Sequence, residues 1–125
     1  MARTVLIVDD QADIRDIARV GIELTTDWNV MVASSGQEAV EIAAAHRPDV
    51  ILLDVMMPEM DGPAAVRALR ADPATSDIPV ILLTARMVLD DSDDLAGISV
   101  SGMLAKPFDP MSLADSVSSI LGWAA

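Results

Sequence analysis

Pro48-Asp49-Val50-Ile51-Leu52-Leu53-Asp54 sets four consecutive apolar residues directly before a carboxylate. A run this short, with no polar alternation, reads as a strand covered on both faces. Comparable runs stand at Val5-Leu6-Ile7-Val8, Val30-Met31-Val32, Val80-Ile81-Leu82-Leu83 and, more weakly, Val100 to Leu104. Between them the spacing turns helical. Ile14, Ile17, Ala18 and Ile22 fall at i, i+3, i+4 and i+8, the period of one helix face. Ala39, Val40 and Ala43 mark a second helix, Val66 and Leu69 a third, and Leu113, Val117, Ile120 and Leu121 the last. A fourth, about Met87 to Ala96, carries four Asp residues, modest helix formers. The alternation is that of an α/β protein, (βα)5, with a doubly wound five-stranded parallel sheet covered on each side by helices.

The punctuation agrees. Ser35-Gly36-Gln37-Glu38 is a capping box for the second helix, and Asp109-Pro110 supplies an N-cap and an N1 proline for the last. Pro73 ends the third helix and Gly122 closes the final one. The 125 residues suit one domain, 1–125, with no internal repeat or linker. Twenty acidic against eight basic side chains give a net charge of −12, which argues against nucleic acid or an anionic membrane surface as partner. The absence of cysteine excludes disulfides, thiolate metal sites and a cysteine nucleophile. No signal peptide or membrane-length apolar run is present, so a soluble, cytoplasmic protein is expected.

In an open parallel sheet, ligands bind beyond the carboxyl ends of the strands. Strand one ends in Asp9-Asp10, strand three in Asp54, strand four in Thr84 and strand five in Lys106-Pro107, with Lys106 the sole lysine. Each has an ordinary structural explanation. An Asp after a strand often caps the next helix, a strand-end Thr reflects β propensity, and a Lys is usually a solvated charge. Their convergence outweighs those readings. Asp54 follows a buried strand, where an unpartnered carboxylate is expensive, and three crowded carboxylates repel unless a cation compensates. An all-oxygen set without His or Cys suits a hard cation such as Mg2+, and a lysine and a hydroxyl beside it suit phosphoryl transfer onto a carboxylate.

Over its full length the chain resembles a two-component response-regulator receiver domain of the CheY-like, flavodoxin-like fold. The resemblance is carried by Val8-Asp9-Asp10, by Pro48 to Gly62 with its Leu53-Asp54-Val55-Met56-Met57-Pro58 centre, by Ile78 to Ala85, and by Lys106-Pro107-Phe108. It implies strand order 2-1-3-4-5 and Asp54 as phosphoacceptor. It further implies Mg2+ held by Asp10 directly, by Asp9 mostly through water, by Asp54 and by the Met56 backbone carbonyl. Thr84 resembles the switch hydroxyl and Lys106 the ammonium that holds the phosphoryl group. A cis Lys106-Pro107 bond is implied as well. The implied donor is a sensor histidine kinase or a histidine phosphotransfer protein. The chain would then be a signalling phosphoacceptor that catalyses only its own phosphorylation and dephosphorylation, acting on a downstream protein target. One departure concerns output: Met103 stands where receivers usually carry Tyr or Phe.

Two other chemistries fit less well. An aspartate-nucleophile phosphohydrolase needs a second Asp two residues after the nucleophile, and here that residue is Met56. A flavodoxin-type electron carrier lacks its phosphate loop after strand one and the aromatics to flank a flavin. Because the sequence stops at Ala125, just after the last helix, a stand-alone receiver is expected, with output by protein contact or phosphoryl relay.

Overall fold

The computed structural model describes residues 3–55, 62–84, 100–106 and 108–123. Five strands, β1 (Thr4–Val8), β2 (Asn29–Ala33), β3 (Val50–Asp54), β4 (Val80–Thr84) and β5 (Gly102–Ala105), form one sheet in the order β2-β1-β3-β4-β5. Every pairing is parallel. The helices are α1 (Ala12–Thr25), α2 (Gly36–His46), α3 (Gly62–Ala71) and α4 (Leu113–Leu121), the last preceded by a 3-10 turn at Pro110–Ser112. The helix expected about Met87 to Ala96 lies outside the described residues.

Alternation along the strands builds two cores. Leu6, Val8, Ile51, Leu53, Val80 and Leu82 meet Ala39 and Ala43 of α2 and Ala65, Val66 and Leu69 of α3. On the opposite face Val5, Ile7, Val50, Leu52, Ile81 and Leu83 meet Ala18 and Ile22 of α1 and Leu113, Ala114 and Val117 of α4. Among the described residues two helices lie on each face, so the sheet is doubly wound, and β3 and β4 are buried along their whole lengths. An apolar strand with no polar alternation is what such a sandwich requires.

Local details differ from the sequence reading in instructive ways. Ile17 is 46 % exposed, with Val20 and Leu24 beside it on the outer side of α1, while Ala18, Gly21 and Ile22 face inward. The sheet accepts the small-residue side of this helix because α1 also packs against the 3-10 turn. Asp109 caps that turn rather than α4 itself, its carboxylate accepting from Met111 N at 3.0 Å, and the α-helix begins only at Leu113. Ser35 caps α2 by accepting from Glu38 N at 3.1 Å, but the Glu38 carboxylate reaches Ser34 N, one residue before the usual capping-box partner. Gly122 closes α4 at φ +70°, as its position predicts, and Arg47 closes α2 in the same left-handed region. β5 starts at Gly102, two residues later than its apolar run, against the Ile120 side chain of α4. A Cβ there would lie 2.9 Å from Ile120 Cγ2.

Gly21 is the other close approach. A Cβ at this position would stand 2.7 Å from Pro110 Cβ and nearer still to the Pro110 carbonyl. In an open helix, Gly→Ala gains about 1 kcal/mol from propensity. Overpacking against backbone costs about 1–3 kcal/mol. Gly21→Ala is therefore expected to lose about 1 kcal/mol net. Urea unfolding reads this directly, and a variant more stable than wild type would show that the turn gives way freely.

Candidate functional site

Strand register brings the site together. Val8 of β1 lies opposite Leu53 of β3, so Asp9 and Asp54 leave neighbouring strands at the same level. Asp54 pairs with Leu83, and Thr84, the next residue of β4, pairs with Ala105. Two ladder-type bonds run on beyond the strands: Asp9 N donates to Ala33 O at 3.2 Å and Lys106 N to Thr84 O at 2.8 Å. The second holds the Lys106 backbone in line with β5, one residue past its end.

Lys106 then returns across the sheet edge. Its Nζ lies 3.0 Å from Asp9 Oδ2 and 3.4 Å from Asp54 Oδ1. Asp9 is fully buried, Asp54 and Thr84 are buried, and Asp10 is exposed. One carboxylate oxygen from each of Asp9, Asp10 and Asp54 falls within 4.8 Å of the others. The structure thus gathers Asp9, Asp10, Asp54 and Lys106, with Thr84 at the adjoining strand end. Met56, and Pro107 with the expected cis bond, lie outside the described residues.

Asp9 also has the structural role common for an acid after a strand. Its Oδ1 accepts from Gln11 N at 2.9 Å, closing the turn into α1, whose own N-cap, Gln11, makes no side-chain cap. The capping explanation and the site explanation therefore hold for the same residue, one oxygen each. A contact the sequence reading missed lies behind it: Arg15 Nη1 donates to the Asp9 main-chain oxygen at 2.7 Å. Its sequence signal is an arginine in the first turns of a helix, where the macrodipole disfavours a cation.

The electrostatics follow from burial and pairing. Burial penalises the Lys106 ammonium, but its hydrogen bond to Asp9 and the charges of Asp54 and Asp9 outweigh that penalty and hold its pKa above the ordinary 10.5. A permanent cation thus lies between two buried carboxylates. The three carboxylates offer oxygen ligands only, the donor set of a hard divalent cation, and Asp10 faces solvent, from which such an ion would arrive. Elsewhere, an apolar cavity of about 380 Å³ lies between α1 and the 3-10 turn, lined by Asp16, Ile17, Val20, Gly21, Pro110 and Met111. It shares no residue with the acidic group. No helix among the described residues is long and apolar enough to cross a membrane.

Comparison with known proteins gives a consistent result. The family model of the response regulator receiver domain matches residues 5–118. The phosphate regulon transcriptional regulatory protein PhoB of Pseudomonas aeruginosa is 34 % identical over 121 residues, 97 % of this chain and 52 % of that protein. A probable transcriptional regulator, ycf27, of Guillardia theta is 37 % identical over 119 residues, 94 % of this chain and 44 % of that protein. The chain spans about half the length of these curated relatives. The chemotaxis response regulator CheY4 of Vibrio cholerae matches with a TM-score of 0.88 at 30 % identity, over 96 % of this chain and 99 % of that one. The receiver domain of sensor histidine kinase PA1611 from Pseudomonas aeruginosa, solved with a magnesium ion coordinated in its active site cleft, matches with a TM-score of 0.85 at 27 % identity, over 98 % of this chain and 99 % of that one.

Replacing Lys106 tests the electrostatic account. Lys106→Met leaves Asp9 and Asp54 buried together without their shared cation. Removing one partner of a fully buried pair costs about 3–5 kcal/mol. Lys106 keeps 18 % of its side chain in water, so a loss of about 2 kcal/mol is expected without metal. Because its pKa is raised in the folded state, its contribution is complete below pH 10.5 and is lost as pH rises through the raised value. The stability difference between wild type and Lys106→Met should therefore stay constant from pH 7 to 10 and shrink only above that, as measured by urea unfolding in a chelator.

Proposed function

The chain belongs to the response regulator receiver family, and from that premise we propose that it accepts a phosphoryl group on Asp54 within a two-component phosphorelay. Receivers take that group from sensor histidine kinases or histidine phosphotransfer proteins, and the same donors are proposed here. The observation that carries the reading is the Lys106 ammonium, placed between Asp9 and Asp54 at the carboxyl ends of β1 and β3.

The chemistry asks little of the protein beyond placement and charge. An Asp54 carboxylate oxygen bonds to phosphorus as the bond from phosphorus to the donor's leaving atom breaks, and water later releases the group as phosphate. Lys106 holds a phosphoryl oxygen, exchanging its contact with the Asp54 carboxylate for one with the more negative acyl phosphate. Thr84 donates its hydroxyl to another phosphoryl oxygen and so couples β4 to the phosphorylation state. Asp9 and Asp10 with Asp54, together with the Met56 carbonyl, would hold Mg2+, which when bound neutralises charge on the phosphoryl oxygens. Met103, on the edge strand β5 opposite Leu82, packs partly buried against the core cluster on the α2–α3 face of the sheet, which supports a role in packing as much as in switching. We take residues 1–125 as one receiver domain, acting in the cytoplasm through protein contacts. The net charge of −12 supports protein partners over nucleic acid or anionic membrane.

Two measurements test this. With acetyl phosphate or a kinase and Mg2+, mass spectrometry is expected to find one phosphoryl group per chain in the wild type and none in Asp54→Asn. Undiminished labelling of that variant would refute the assignment. Mg2+ at about 100 times its Kd is expected to stabilise the fold by about 2.7 kcal/mol. Asp10→Ala should remove most of that gain, and a wild-type melting temperature indifferent to millimolar Mg2+ would count against the metal site.

A further inference from the structure

Of the three clustered carboxylates, two are tied to the protein by their own oxygens. Asp9 accepts from Gln11 N and from Lys106 Nζ, and Asp54 lies against the same ammonium. Asp10 differs. It is exposed, and its carboxylate makes no hydrogen bond or ion pair to protein among the described residues. What places it is its backbone.

The Asp10 nitrogen and the Asp9 carbonyl belong to one planar peptide unit, so holding that oxygen fixes the plane from which Asp10 departs. The Arg15 guanidinium does so, with Nη1 2.7 Å from Asp9 O. Arg15 is the fourth residue of α1 and its own N–H bonds Gln11 O at 3.1 Å, so its side chain leans back toward the helix N-terminus and over the turn. No carboxylate among the described residues lies within ion-pair distance of this guanidinium. Its hydrogen bond goes instead to a neutral carbonyl, at the helix end where a cation is least favoured.

We infer that Arg15 is a positioning residue that orients Asp10 as a metal ligand by clamping the Asp9–Asp10 peptide. This rests on the reading of Asp9, Asp10 and Asp54 as the Mg2+ site. The inference has a sign that separates it from simple charge effects. Removing a cation near three carboxylates makes the site more negative, which by Coulomb attraction would tighten Mg2+ binding. Removing an anchor behind a ligand loosens it, typically by about 10–100-fold for groups that orient metal ligands.

The experiment is a Mg2+ titration of the unphosphorylated protein, read by amide NMR shifts and by melting temperature, for wild type, Arg15→Lys and Arg15→Met. Arg15→Met, with neither donor nor charge, is expected to raise the Mg2+ Kd about 10-fold or more. Arg15→Lys keeps the charge and one donor but loses the planar fork, and should fall between the two. Binding by Arg15→Met as tight as wild type, or tighter, overturns the inference. Should Arg15→Met fold poorly without metal, Arg15→Lys decides, since wild-type affinity in that variant also overturns it. Absence of Mg2+ binding by the wild type strikes the metal reading itself and this inference with it. Wild-type binding with an undiminished variant strikes the inference alone.

Discussion

Everything at the working edge of this protein depends on one lysine facing more carboxylates than it can neutralise. Asp9 and Asp54 are buried and an Asp10 oxygen lies within 4.8 Å of an oxygen of each, so among the described residues three carboxylates crowd at the end of the sheet that holds the Lys106 ammonium. In a medium less polar than water such repulsion is far stronger than on an open surface. The fold tolerates it because Lys106 is delivered by a rigid route. Its N–H continues the β4–β5 ladder, and the chain beyond it turns at Pro110, which is received by the missing side chain of Gly21.

The two apolar cores explain why chemistry is confined to this edge. Helices cover both faces of the sheet, so β3 and β4 expose neither side to water. Polar groups can then be carried only where strands stop, and the parallel arrangement makes the carboxyl ends stop together. The repulsion left at that edge is a local instability at the place where the proposed function puts a cation and a phosphoryl group, a common compromise between stability and function.

Asp9 shows how closely structure and chemistry are combined. One of its oxygens closes the turn into α1, the other takes Lys106, and its main-chain oxygen takes Arg15. With each carboxylate oxygen already accepting one bond, Asp9 holds the site's shape while keeping lone pairs to share with a bound cation or its water. Asp10, with its carboxylate toward solvent, is suited to admitting a new ligand.

The amino-acid order by itself determined the strands and the residues at their ends. An apolar run with no alternation is a local pattern, and so is the carboxylate, hydroxyl or lysine that terminates it. The caps at Ser35 and Gly122 are local in the same sense. Strand order was legible only through resemblance to a family, and it is the one the structure has, while the phosphoacceptor role proposed for Asp54 rests on the same resemblance. Tertiary structure decided the rest. It chose the Ala18–Gly21–Ile22 side of α1 for the core and left Ile17 outside, because helical period alone does not say which apolar stripe finds a partner. Asp109 went to a 3-10 turn rather than to α4, because that turn packs on Gly21. It also set Lys106 closer to Asp9 than to Asp54, a contact across 97 residues of chain. Local sequence specifies period and chemistry; which distant groups meet, and at what distance, is set only when the layers close and the strand ends come into register.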